Sequence, residues 1–339
     1  MEILTIRDIA RLAHVSVSTV SRVLNGRPDV SENTREAVIQ VIRENNFTQN
    51  SNAKNLKQHH SEMISVIVRG RQNWFLTDVA ERMIALDQDG QSRFLLDFIN
   101  EHEDEFAAAR RQYAERKLQG IVFLGSSPAG RESEVRSLPL PCVFTTVDTS
   151  AIQQKGISSV SVDNRESARI AVEHLIKNGH RKIAVMGGRR HIPDSIGERF
   201  LGILQAFREN GLEFDENLYV ESHFAMPEAY KAAQAFLSLG RSFTAMFCMS
   251  DMMAIGAIKA LSEHGMNVPD DISIVGFDNI PLARYLTPTL TTVSQPAQLL
   301  AETSMDLISR LIANPDDTEN VILPSTLVEG GTVRHLGAQ

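Results

Sequence analysis

Apolar positions in the first 45 residues recur at helical spacing. Ile6, Ile9, Ala10 and Ala13 follow the i, i+3, i+4, i+7 rhythm of a helix packed by one face, with Thr5 as its cap and Arg7, Asp8 and Arg11 opposite. After His14 and Val15, Ser16 is a natural N-cap for a second helix running to about Asn25, whose buried side is Val20, Val23 and Leu24. Val17, Ser18, Ser21 and Arg22 are left facing outward. A third helix is expected from Ser31, with Val30 as a hydrophobic staple and Val38, Val41 and Ile42 as its core face. Two short helices meeting across a small polar break form the pattern of a helix-turn-helix. Short side chains at the start of the second helix let the backbone approach a phosphate-lined groove, and Arg22, one turn on, can fork onto a guanine edge.

The stretch 50–60, NSNAKNLKQHH, has no apolar run long enough for a core element and reads as a hinge, with Asn52 to Lys57 too short to be a stable helix alone. From Met63 the pattern changes: short β-branched or aromatic runs alternate with helical periodicity, as in parallel sheets covered by helices. One set of strands is expected at 64–68, 93–98, 121–124 and 142–145, with helices near 76–90 and 103–118. A second is expected at 182–187, 218–220, 245–249 and 273–277, with helices ending in Asn178-Gly179, Asn210-Gly211 and His264-Gly265, where glycine suits a left-handed C′ position. A helix near 296–313 and a strand at 321–323 return toward the first set. The class is therefore α/β, a three-helix head and hinge followed by two lobes of doubly wound parallel sheet.

Charge separates these parts. Through Lys57 the chain has eight Lys or Arg against six Asp or Glu; the remaining 282 residues carry 26 against 36, within a total of −8. The head alone suits a polyanion, held to it by an oriented contact rather than by general coating. No run approaches a membrane span, and the start MEILTIRD lacks a basic region followed by an apolar one, so a cytoplasmic protein is expected. Cys142 and Cys248 sit in apolar strand-like runs and read as buried thiols; no zinc spacing is present, and no cofactor is expected.

Ligands of open parallel sheets bind beyond the carboxyl ends of the strands, so polar residues directly after strands are candidates. Asp251 and Asp278 both qualify, and Arg199, on the helix after the strand ending at Gly187, could complete a set able to exchange hydrogen bonds with several hydroxyls. Asp251 could equally cap the helical run MMAIGAIKAL, and Asp278 could be a turn residue.

The string VSxxTVSRVLN at Val15–Asn25, followed by a third helix and two α/β lobes, resembles the lactose/galactose repressor family of bacterial transcription regulators, and the similarity extends through nearly the whole chain. The resemblance implies a DNA-contacting set of Thr5, Ser16, Val17, Ser18, Thr19, Ser21, Arg22 and Asn25 in the head. It implies Ala53, Leu56 and Lys57 in a hinge that folds on the operator, where the leucine wedges between base steps of the minor groove. Gln49 departs from the proline often found before that hinge. In the cleft, Asn73, Trp74 and Phe75 stand where the family carries Asn-Pro-Phe-Phe, Phe224 matches an aromatic that closes the pocket, and Asp163 and Ser195 are weaker contacts, beside Arg199, Asp251 and Asp278. Trp74 could stack on a pyranose or a base, or pack in a core or hinge. Arg69 and Arg71 replace the usual aspartate-rich approach, which leaves an acidic or phosphorylated ligand open.

These implications assign a head at 1–48, a hinge at 49–61 and an effector-binding and dimerisation core at 62–339, with lobe one at about 62–160 plus 295–325 and lobe two at about 161–294 plus 326–339. The expected function is a repressor of carbohydrate-utilisation genes that binds a palindromic double-stranded operator as a homodimer, a tetramer staying open. A sugar-like effector in the cleft controls it, with a nucleobase, nucleoside or phosphorylated ligand as the alternative. A solute-binding protein would explain the cleft alone. An enzyme finds no support, because G-x-G-x-x-G, the P-loop pattern, G-x-S-x-G and H-E-x-x-H are all absent. Ligand would act by shifting the lobes and so the register of paired heads, a coupling on the order of 1–3 kcal/mol.

Overall fold

The structure is a computed structural model that describes residues 6–24, 30–44, 63–86, 93–126, 128–190 and 194–337. The chain divides into two compact units, 1–61 and 62–339. The expected contacts at Thr5, Asn25, Ala53, Leu56 and Lys57, and the hinge itself, lie outside the described residues.

The first unit contains helices Ile6–Leu12, Val17–Leu24 and Glu32–Glu44. Ile9, Ala10, Val20, Val23 and Val38 are buried together, with Ala13, Val15, Val41 and Ile42 packed around them. The turn between the first two helices puts His14 in the left-handed region at φ 54°, and Val15 N–H reaches back to Ala10 O at 3.0 Å. That reversal works like a glycine C-cap without the glycine. Ser16 then caps the second helix, its Oγ accepting from Thr19 N–H at 3.1 Å.

The second unit holds two six-stranded sheets. The first is built from β1 (Met63–Arg69), β2 (Arg93–Ile99), β3 (Leu118–Leu124), β4 (Cys142–Thr145), β5 (Ile157–Val162) and β11 (Asn320–Leu323), in the order β11-β5-β4-β3-β1-β2 and parallel throughout. The second contains β6 (Ile183–Gly187), β7 (Tyr219–Glu221), β8 (Ala245–Cys248), β9 (Ser273–Asp278), β10 (Thr291–Ser294) and β12 (Thr326–Val328), in the order β12-β10-β9-β8-β6-β7. Only the edge strand β12 runs antiparallel, against β10. The chain passes between the sheets after β5, after β10 and after β11. Ser167 and Ser325, on two of these passages, share a hydrogen bond of 2.6 Å.

Three strands depart from the sequence pattern. β5 reads ISSVSV, and its serines look like a solvent face, yet all six residues are buried. The hydroxyls are matched at depth: Ser159 donates to Asn320 Oδ1 at 2.6 Å, and Ser158 Oγ accepts from Glu319 N–H at 3.0 Å, so β11 satisfies β5. β10 and β12 read TTVS and TLV, short mixtures of hydroxyl and apolar residues with no apolar run to mark them. The helix expected near 76–90 instead spans Trp74–Ala85, because Asn73 caps it with a 3.2 Å bond from Leu76 N–H to Oδ1.

Candidate functional site

In each sheet the first strand lies between the second and the third, β1 between β2 and β3, β6 between β7 and β8. Loops leaving such neighbours diverge to opposite faces and open a crevice at the strands' carboxyl ends. The two crevices face each other across a cleft of about 720 Å³, lined after β1 by Gly70–Asn73, after β3 by Gly125 and Ser126, and after β6 by Gly188 and Arg189. A side chain at Gly125, where φ is +72°, would collide with Leu76, so the loop after β3 lies tight on the helix that carries Phe75. Phe75, 3% exposed, and Phe224 supply apolar wall.

The polar side of the second lobe is built around Arg199. Its helix, Ser195–Glu209, approaches helix Asn164–Lys177 so closely at Gly202 that a β-carbon there would strike Arg165 O. The approach lets Arg199 Nε donate to Asn164 Oδ1 at 2.9 Å, while Nη1 donates to Met249 O at 2.7 Å and the guanidinium lies 3.7 Å from the centre of the Phe277 ring. Burial lowers the Arg199 pKa to about 10, against the pull of Asp278 and Asp194, so it stays charged at neutral pH. Asp278 is lifted by burial to about 7, with Arg199 and a 2.7 Å bond from Gln295 Nε2 holding it down. Gln295 Oε1 is buried with no hydrogen-bond partner among the described residues, and Gln295 lines the cleft.

Ser195 ties the lobes: its Oγ donates to Thr146 O, just beyond β4, at 2.7 Å. Thus Asn73, Phe75, Ser195, Arg199, Phe224 and Asp278 line one cleft. Three expected contacts lie elsewhere. Trp74 is 48% exposed and absent from the lining, because neighbouring helical residues point about 100° apart and Phe75 takes the inward direction. Asp163 caps helix Asn164–Lys177, accepting from Glu166 N–H at 2.9 Å. Asp251 is wholly buried beneath the cleft floor. It does not cap its helix, since Ser250 does that; its carboxylate accepts from Ile280 N–H at 2.8 Å and Thr292 Oγ at 2.6 Å. Asp251 therefore supports the loop of Asp278 rather than a ligand.

Asp194, Glu228 and Gln295 also line the cleft and were not anticipated. Gln295 directly follows a strand, the signal that picked out Asp278, but β10 was not recognisable. In the head, Ser16, Val17, Ser18 and Arg22 are exposed and Thr19 and Ser21 partly so. Ser16 Oγ, besides capping, pairs with the hydroxyls of Ser18 and Thr19 at 2.7 and 2.8 Å, which fixes the hydroxyl face of the second helix.

The model of the bacterial regulatory proteins of the lacI family matches residues 5–50, and that of a periplasmic binding protein-like domain matches 172–333. The HTH-type transcriptional regulator MalR of Clostridium butyricum is 37% identical over 333 residues, covering 96% of this chain and 98% of that one. The HTH-type transcriptional repressor PurR of Klebsiella pneumoniae (strain 342) is 31% identical over 335 residues, 97% of this chain and 96% of its own. Among solved structures, the lac repressor dimer bound to operator and the anti-inducer ONPF is 25% identical with a TM-score of 0.73, over 98% of this chain and 100% of that one. The complex of the transcriptional regulator CelR with cellobiose is 25% identical with a TM-score of 0.71, over 97% and 99%. The chain belongs to the lacI family of bacterial regulatory proteins and is a DNA-binding transcriptional regulator, not an enzyme.

Proposed function

We propose that this regulator represses its genes by binding a palindromic duplex as a dimer, and that a neutral, polyhydroxylated ligand of the sugar class, bound in the cleft, controls that binding. The observation carrying the ligand class is the set Asp278, Gln295 and Arg199: two acceptors and a cation at one wall, with Gln295 Oε1 buried and unmatched. Sugar hydroxyls donate to and accept from such groups at once, while Phe75 and Phe224 offer apolar surface to the ring's C–H face. Net charge decides against a polyanion. Four arginines line the cleft, but so do five carboxylates, and Arg69 is already held by two bonds to Glu101 O, at 3.0 and 2.7 Å, and by Glu105 at 3.3 Å. The CelR–cellobiose complex shares the fold and supports the same class. The exposed face of Val17, Ser18, Ser21 and Arg22 supports base reading, and the operator-bound lac repressor supports the dimeric arrangement.

The test is calorimetric titration of neutral mono- and disaccharides, sugar phosphates and purines into the intact protein, with gel retardation on a palindromic duplex in parallel. A neutral sugar should bind, change the retardation and lose its effect in Asp278→Asn. Binding confined to phosphorylated sugars or purines would overturn the ligand class without touching the DNA-binding assignment.

A further inference from the structure

We infer that Glu101, His102 and His223 form a site for one divalent transition-metal ion that clasps the two lobes at the cleft mouth. Among the described residues, these three are the one trio of His, Cys, Asp or Glu whose ligand atoms all lie within 4.8 Å of one another. They come from opposite lobes. Glu101 and His102 follow β2, and His223 follows β7, so the strands on either side deliver them face to face. His223 Nδ1 lies 2.6 Å from Glu101 Oε1, and His102 Nε2 lies 3.9 Å from the same oxygen. The two imidazoles meet edge to face, with centroids 5.2 Å apart at 85°. A contact of His223 Nδ1 with Glu101 needs no second imidazole, and His102 lies beyond hydrogen-bond distance of that oxygen at 3.9 Å. A metal about 2.0–2.2 Å from each ligand atom would use all three, with adjacent ligands then roughly 3.3 Å apart, a shift within side-chain reach.

The donor set selects the ion. Two imidazole nitrogens and one carboxylate suit zinc, nickel, cobalt or copper, whereas magnesium and calcium prefer oxygen ligands. Three protein ligands leave at least one position for water or for a hydroxyl of a cleft ligand. The backbone around the site is already fixed: Arg69 Nε and Nη2 both donate to Glu101 O, Asn100 N–H and Nδ2 donate to Glu103 Oε1 at 3.1 and 2.8 Å, and Ser222 N–H donates to Gly187 O at 2.8 Å. Bonds of this kind hold the backbone that carries the three side chains. All three side chains are at least partly exposed, so an ion can enter from solvent. Such an ion would join lobes that the Ser195–Thr146 bond bridges elsewhere in the cleft, favouring the closed cleft; linkage then requires that closure and metal affinity strengthen each other.

The experiment titrates zinc ion into the untagged full-length protein against a chromophoric chelator, for the wild type, His102→Ala, His223→Ala and Glu101→Gln, each checked by circular dichroism. One ion per chain is expected, with affinity reduced on the order of tenfold or more in each variant. Zinc should raise the thermal midpoint of the wild type alone, and magnesium should not compete. Wild-type affinity in either histidine variant, or binding that light scattering traces to zinc-bridged chains, would overturn the clasp.

Discussion

Asp251→Ala should damage both the stability of the two-lobed unit and its ligand site, although Asp251 touches no solvent. The loop it holds is strained: Asp278 and Asn279 adopt φ of 114° and 59°, a region costly for residues with a β-carbon. The Asp251 carboxylate offsets that strain by accepting from Ile280 N–H at 2.8 Å and the Thr292 hydroxyl at 2.6 Å. Removing it leaves the Ile280 N–H buried and unmatched, at about 1–3 kcal/mol, while Thr292 can turn its hydroxyl elsewhere. A gain opposes this loss, because burial and the neighbouring Asp278 both raise the Asp251 pKa, and deletion relieves that tension. The net cost is about 1–2 kcal/mol, a fall of roughly 2–4 °C in thermal midpoint for a unit of this size. Asp251→Asn retains the volume and one acceptor oxygen and should lose about half as much. Calorimetric unfolding of each variant, with titration of whichever sugar binds the wild type, measures both effects. A midpoint within about 1 °C of wild type and unchanged ligand affinity in Asp251→Ala would refute the role of Asp251 as the positioning residue of Asp278.

Three further outcomes follow from the same structure. His180 is fully buried between Thr244 Oγ1 and Arg334 O, and burial lowers its pKa, so the unfolded chain takes up a proton below about pH 6.5 that the native state resists; stability should fall with pH there, and His180→Gln should flatten the slope by up to about 1.4 kcal/mol per pH unit in urea unfolding. Asp278 acts with the opposite sign: with its carboxyl lifted to about 7, the native state holds a proton that the unfolded chain releases above about pH 4, so this residue weakens the fold as pH rises toward 7, and stability curves of Asp278→Asn should lack that component. Ser16→Ala removes the acceptor for Thr19 N–H and should cost the head about 0.5–2 kcal/mol, seen as weaker retardation of duplex with the unfolding of the lobes unchanged.

The positions that could be read from sequence were those where one physical demand dominates. Ile9, Val20 and Val38 had to be apolar at helical spacing, and they form the core of the head; Gly179, Gly211 and Gly265 end helices with φ of 92°, 67° and 73°, as residues without a β-carbon can. The rule that ligands meet polar residues just after strands placed Asp278 and Arg199 in the cleft, but it could not separate Asp278 from Asp251. Both follow strands of one sheet; what divides them is that Thr292, from the strand TTVS that has no apolar run to mark it, and Ile280, from the loop after β9, converge on Asp251 and bury it. Trp74 and Phe75 pose the same difficulty on a smaller scale, since an aromatic pair at a helix start sends one ring inward and one out, and the choice depends on the helix phase that Asn73 sets by capping. Residues that act through contacts distant in sequence were hidden for the same reason. Gln295 matters because it lies against Asp278, and His223 because it meets Glu101 from across the cleft, 122 positions away in the chain. A cleft between two lobes joined by three passages therefore shows its walls in local sequence pattern, while the pairings that tune its charge and hold its mouth emerge only once the lobes are set face to face.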